Sequence, residues 1–242
     1  NAFANYDFSI GKHDISIMGG YNQEESHKES QWSQRTDVLL ENLPSLSGST
    51  GTASVTDSFD EYAIRGLFYR VNYTYDGKYM FEANGRYDGT SRFPKDSRFG
   101  FFPSFSAGWR ISEEAFMKNT KSFLSNLKLR ASWGSIGNQI ILKPDNTPEN
   151  YPYIPSMSPY LTEWLVDGQK TTTLNAPAMV SSSFSWEKVY TLDFGVDFGF
   201  FDNRFNGTFD WYRRDTKGML APGMDLPWVV GATAAKQNAA DL

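Results

Sequence analysis

Residues able to do covalent or metal chemistry are sparse in this sequence. It has two histidines and no cysteine, so thiolate nucleophiles, thiolate metal sites and disulfides are excluded. His13 falls in a tight turn and His27 in a long polar stretch, and neither has partners at triad or zinc-ligand spacing. The serine of Gly134-Ser135-Ile136-Gly137 lacks the spacing of a nucleophile elbow. No phosphate-binding glycine loop appears. Asn-x-Thr triplets begin at Asn72 and Asn206, but both lie in strand-like segments rather than the surface loops that carry glycans. Neither an enzyme site nor a cofactor is expected. A net charge of −5 gives no overall basic footprint for nucleic acid.

What the chain does carry is a set of charges of both signs, each set between apolar neighbours. They are Arg70, Glu82, Arg86, Asp88, Arg110, Lys128, Arg130, Asp193, Asp197 and Asp210. One reading has them line a solute route, or hold an internal domain by charge-assisted hydrogen bonds. The other has them pair across strands and solvate a polar interior. A second set is aromatic. Tyr151, Tyr153, Tyr160 and Trp164 lie in a Pro-, Tyr- and Thr-rich stretch. Such rings suit sugar stacking and protein interfaces, and equally ordinary loop packing.

These residues need elements to position them, and the pattern is period two. Eight segments alternate: Tyr6–Ile10, Ile15–Tyr21, Leu67–Tyr75, Tyr79–Asp88, Phe101–Ile111, Leu127–Trp133, Tyr190–Phe198 and Phe205–Trp211. In the third, Leu67, Tyr69, Val71, Tyr73 and Tyr75 share one face, and Arg70, Asn72 and Thr74 the other. Such alternation sets an apolar medium against one face and water or polar groups against the other. Aromatics are 16% of residues, yet mean hydropathy is −0.50 and no apolar run suffices for a membrane-spanning helix. The expected fold is all-β: an antiparallel transmembrane β-barrel segment of about eight strands.

Loop lengths add a polarity. Gly11–His13, Asp76–Lys78 and Gly199–Arg204 are tight; about 22–61 and 138–185 are long, and about 89–98 is intermediate. Ser112–Asn126, on the short-turn side, reads as a short amphipathic helix capped by Ser112. Short turns at one end and long loops at the other is the outer-membrane pattern, periplasm against exterior. Aromatic girdles are then expected from Tyr73, Tyr75, Tyr79 and Trp109 at the short-turn end, and from Tyr87, Trp133 and Trp211 at the other. Pro103 breaks the fifth strand's ladder and is expected where pairing is ending. A soluble β-sandwich also alternates, but its strands are shorter than several of these. An open sheet edge in hydrocarbon would leave backbone groups unsatisfied, so further strands are expected from residues beyond 1–242.

Three blocks then carry a family resemblance. They are Arg86–Phe93 continuing through Arg98–Ser104 and Ala107–Glu114, then Leu127–Gly134 with Gly137-Asn138-Gln139, then Trp186-Glu187-Lys188 with Phe194–Arg204. Together they resemble SusC/RagA-type TonB-linked outer-membrane transporters of Bacteroidetes. The resemblance implies a barrel of roughly 22 strands with an internal plug, of which residues 1–242 are a central part lacking the plug and the C-terminal strands. It also implies import of oligosaccharide or peptide, TonB contact through the plug, a SusD-like surface lipoprotein partner, and outer-membrane lipid around the wall. A passive channel or structural barrel is the alternative from the residues alone.

Overall fold

The structure is a computed structural model and describes residues 1–143, 146–177, 179–181, 184–221, 223, 226–230 and 234–242. Its strands are β1 (Ala2–Ile10), β2 (His13–Arg35), β3 (Ala53–Tyr75), β4 (Tyr79–Thr90), β5 (Phe99–Arg110) and β6 (Leu124–Asn138), then β7 (Pro159–Val166), β8 (Gln169–Leu174), β9 (Glu187–Phe200), β10 (Phe205–Lys217), β11 (Met219–Ala221) and β12 (Gln237–Ala240). One eight-stranded sheet runs β1-β2-β3-β4-β5-β6-β9-β10, every pair antiparallel. The pairs β7-β8 and β11-β12 form separate hairpins. The eight expected strands are therefore the eight strands of the main sheet.

Turn chemistry closes the tight end. Within the three-residue connection Asp76–Lys78, Asp76 (φ 51°) and Gly77 (φ 65°) both adopt the left-handed region, the mirror-image turn conformation that matches strand twist, and the Lys78 N–H donates to the Tyr75 carbonyl at 2.9 Å. Lys12 and Lys78 pair with Asp76 at 3.0 and 2.9 Å, tying the β1-β2 turn to the β3-β4 turn.

Register preserves the faces across the sheet. Ile17 partners Val71, then Ala83, Phe105, Trp133 and Leu192 in turn. The next row on that face is Phe8, Ile15, Tyr73, Phe81, Ala107, Ala131, Phe194 and Trp211. A slip of one residue anywhere would invert a strand's faces, so the unbroken rows fix one apolar and one polar surface. The apolar band is not level. On β3 it reaches Leu67, but on β10 it ends at Trp211, where Arg213 and Asp215 follow on the same face and pair at 3.0 Å. A sloping band is what strands tilted in a barrel wall require.

No second sheet large enough to cover the apolar face is present among the described residues. Phe81, Phe105, Phe194 and Trp211 are exposed on it. The one buried cluster described, Phe93, Phe102, Ile141, Phe184 and Trp186, lies at the long-loop end with Tyr153 and Leu220 packed against it. A β-sandwich core is therefore not what this sheet builds.

Three expectations need revision. The stretch 22–61 is mostly a two-stranded ribbon: β2 and β3 stay paired from Asn22–Gly66 out to Arg35–Ala53, leaving 36–52 as the connection. Its polar sequence hid the strands because both its faces meet water, so no alternation arises. Within 138–185 lies the β7-β8 hairpin, turned by Asp167 (φ 52°) and Gly168 (φ 79°). The segment after β5 is not one helix but two 3-10 turns, Ile111–Glu113 and Ala115–Thr120. Glu114 between them is extended (φ −72°, ψ 151°) and interrupts the run; Ser112 is buried inside the first turn and caps nothing. Pro103 behaves as expected: it partners Gly85 of β4, while the β5-β6 ladder begins one residue later, at Ser104–Gly134.

Candidate lumen wall and loop-mouth site

All ten predicted charges lie on strands of the main sheet, on the face opposite the aromatic rows. Seven are brought together. Arg130 of β6 holds Asp197 of β9 in a two-pronged contact at 2.9 and 3.0 Å and reaches Asp210 of β10 at 2.9 Å. Thr208 donates to the same Asp197 at 3.1 Å. The reach past β9 is possible because Gly195 lies between Arg130 and Asp210 in register; a Cβ there would come within 2.4 Å of Asp210 Oδ1 and 2.7 Å of Arg130 Cζ. Arg86 pairs with Asp88 through two 2.9 Å bonds, and Arg70 Nε lies 3.9 Å from Glu82. Arg110, Lys128 and Asp193 make no ion pair among the described residues. Arg110 and Lys128 are cross-strand partners of like charge, and Lys128 meets Asp197 of β9 on its other side.

The four loop aromatics divide. Tyr151 accepts the Glu61 backbone N–H at 3.1 Å, and Tyr153 donates to the Ser91 carbonyl at 3.2 Å. Both tie the segment after β6 onto its neighbours, which favours loop packing for this pair. Tyr160 and Trp164 stand exposed on the β7-β8 hairpin. The girdle candidates occupy the apolar face. Tyr75, Tyr79 and Trp109 are successive neighbours with centroids 6.2 and 6.3 Å apart. Tyr73 bonds His13 at 2.9 Å. Tyr87 stacks on Phe99, Trp133 on Phe105 and Trp211 on Phe194. Glu114 accepts from Tyr79 Oη and Trp109 Nε1, and these bonds, the tyrosine's first, hold its carboxyl below the usual range.

Sequence reasoning missed the centre of the loop end. Arg92, 6% exposed, donates to Asn150 Oδ1 at 2.6 Å and lies 4.2 Å over the Tyr62 ring. Asn150 passes the link to Asp60 at 2.7 Å, and Tyr62 donates to Glu24 at 2.7 Å. Burial pushes the Arg92 guanidinium down, with Tyr62, Asp60 and Glu24 opposing. Trp186 donates to the Arg98 carbonyl at 3.1 Å and packs edge-on to Phe93 and Phe102. Arg92, Phe93, Arg98 and Trp186 all lie in the blocks that carry the family resemblance, and their role here is to dock the long loops. Beside them a cavity of about 1150 Å³ opens between residues 143–184 and 226–236, lined by Lys143, Glu149, Tyr151, Ile154, Met179 and Lys236 among others.

Comparison with known proteins agrees with this geometry. The family of TonB dependent receptor-like β-barrels matches residues 1–241. TonB-dependent receptor SusC of Bacteroides thetaiotaomicron is 33% identical over 224 residues, 91% of this chain and 21% of SusC. TonB-dependent receptor P3 of Formosa agariphila is 29% identical over 249 residues, 99% of this chain and 23% of that protein. The RagAB peptide importer superposes in its closed-closed state with a TM-score of 0.82, and in its open-open state with 0.83. Each superposition has 25% identity and covers 99% of this chain and 25% of the importer chain. The chain thus spans about a quarter or less of these relatives. An open sheet with one apolar face, loops gathered at one end and similarity along nearly every residue place the chain in the TonB-dependent receptor-like β-barrel family, of the SusC and RagA type.

Proposed function

We propose that the chain is part of the wall of an outer-membrane importer that takes up oligosaccharide or peptide, energised through TonB. A SusD-like surface lipoprotein would close its mouth. The observation that carries this reading is the uninterrupted apolar register across eight strands with no covering sheet, joined to a loop end organised around Arg92 and Trp186. Lipid replaces the missing second layer. The aromatic rows then serve as girdles, the paired charges line the lumen, and Tyr160 and Trp164 face outward for partner or substrate. Arg110 and Lys128 face the plug or the solute route. Similarity to a peptide importer and to SusC supports import over structural service.

The test uses the full-length gene product in its host. Deletion should abolish growth on one peptide or glycan source, restored by the wild-type gene. Uptake should stop when the proton gradient is collapsed or TonB is removed. Uptake indifferent to both would identify a passive channel instead. Purification from membranes should bring down a surface lipoprotein in fixed ratio; its absence would remove the partner from the proposal.

A further inference from the structure

The apolar face carries an open groove of about 860 Å³. Tyr79, Phe81 and Trp109 form one wall, and Phe194, Phe209 and Trp211 the other. Register explains the hollow. Phe81, Ala107, Ala131 and Phe194 are successive partners across four strands, so two methyl groups lie between two phenyl rings. One row toward the long loops, the stacked Phe105–Trp133 pair closes the groove (6.1 Å, 13°). Toward the short turns the floor continues through Leu129 and Val196.

That end is polar and carries both signs. Tyr79 and Trp109, which wall the groove, both donate to Glu114. Lys78, next in sequence to Tyr79, sits 2.9 Å from Asp76, which also holds Lys12 at 3.0 Å. A narrow apolar trough along the strands, blocked at one end and opening on an anion beside cations at the other, has the form of a lipid with a zwitterionic head. Continuity with the lipid-facing surface supplies the occupant. A lipid anchored from the long-loop side would meet the Phe105–Trp133 barrier, and a second barrel would need a ridge matching a trough two residues wide.

We propose that this groove binds one acyl chain of an ethanolamine glycerophospholipid from the leaflet at the short-turn end. The head ammonium lies at Glu114 and its phosphate at Lys78. The proposal rests on the membrane reading above, and the test separates the two. If the full-length protein is absent from the membrane fraction, the membrane reading fails before the groove is examined. Otherwise the detergent-purified full-length protein is analysed by native mass spectrometry with lipid extraction. Wild type should keep one ethanolamine phospholipid per barrel after washing. The A107L/A131L variant fills the floor with groups still compatible with lipid, and should retain about tenfold less. Glu114→Gln, which leaves the floor intact, should lower preference for ethanolamine over glycerol head groups. Equal retention by wild type and A107L/A131L, or unchanged head-group preference in Glu114→Gln, would overturn the proposal. So would a lipid-A-type molecule, or a second barrel copy, as the species displaced.

Discussion

At the scale of single residues, the polar wall is held by geometry that a charge count does not reveal. Arg130 serves two carboxylates because its fork is planar and Gly195 leaves room beside it. Arg130→Met would leave Asp197 and Asp210 facing each other with only Lys128, the cross-strand partner of Asp197, as a nearby cation. A loss of about 1–2 kcal/mol is expected, discounted for partial exposure, in urea titration of the vesicle-folded full-length protein. Arg130→Lys should recover less than half of it, since an ammonium cannot make the two-pronged contact. Arg92 is the second case. Arg92→Ala should free residues 139–186 to limited proteolysis while the strands stay protected, with roughly 2–4 kcal/mol lost locally. His27 gives the pH-dependent case. Glu29 (3.1 Å) chiefly, and Glu61 (3.6 Å), raise its pKa above the ordinary histidine value. A raised folded-state pKa stabilises fully below the unfolded value and fades as pH rises through the folded one. The ribbon should thus be better ordered in mild acid, and His27 should titrate by NMR above a free histidine.

At the scale of elements, the two faces of each strand should respond oppositely to charge. Val71 lies mid-row on the apolar face between Ile17 and Ala83; its neighbour Asn72 points to the other side. Val71→Arg should cost about 2–4 kcal/mol of folding in bilayers and Asn72→Arg nearly nothing, a contrast read from the same titration. This contrast is also why the strands were legible in the sequence: a boundary between two media imposes period two. Where the boundary ends, so does the signal. Glu24–Arg35 of β2 is as regular a strand as Ile15–Tyr21, yet lies in water on both sides and reads as loop. The β7-β8 hairpin did leave a sign, Asp167-Gly168 between strand-forming stretches, the same dipeptide that turns Asp76-Gly77. That the charges share the face opposite the aromatic rows was legible. Their pairing was not, because Arg130 and Asp210 meet only through the register of β9. Nor was the Arg92–Asn150–Asp60 chain, whose members come from two separate loops and the interior of β3.

At the scale of the whole molecule, apolar surface is spread over a face rather than gathered into a centre. Five apolar side chains form the buried cluster described, while the row from Phe81 to Trp211 stays open. Such a sheet gains its stability from the medium on that face. The full-length protein is expected to resist carbonate washing of membranes and to be released by detergent; recovery in the carbonate supernatant would contradict a spanning wall. Organisation at the loop end is of another kind, a small conventional core built of Phe93, Phe102 and Trp186.

The β2-β3 ribbon has a consequence for how a cell would be seen from outside. Its pairs beyond Tyr21–Leu67 continue to Arg35–Ala53, a length of roughly 45 Å at strand rise. If the long-loop end faces outward, as proposed, the connection 36–52 with Leu39, Leu40, Leu43 and Leu46 exposed would stand that far beyond the wall. That would make it a natural graft position for a peptide epitope. Inserted between Pro44 and Ser45, such a tag should stain intact cells in flow cytometry without disturbing the wall beneath.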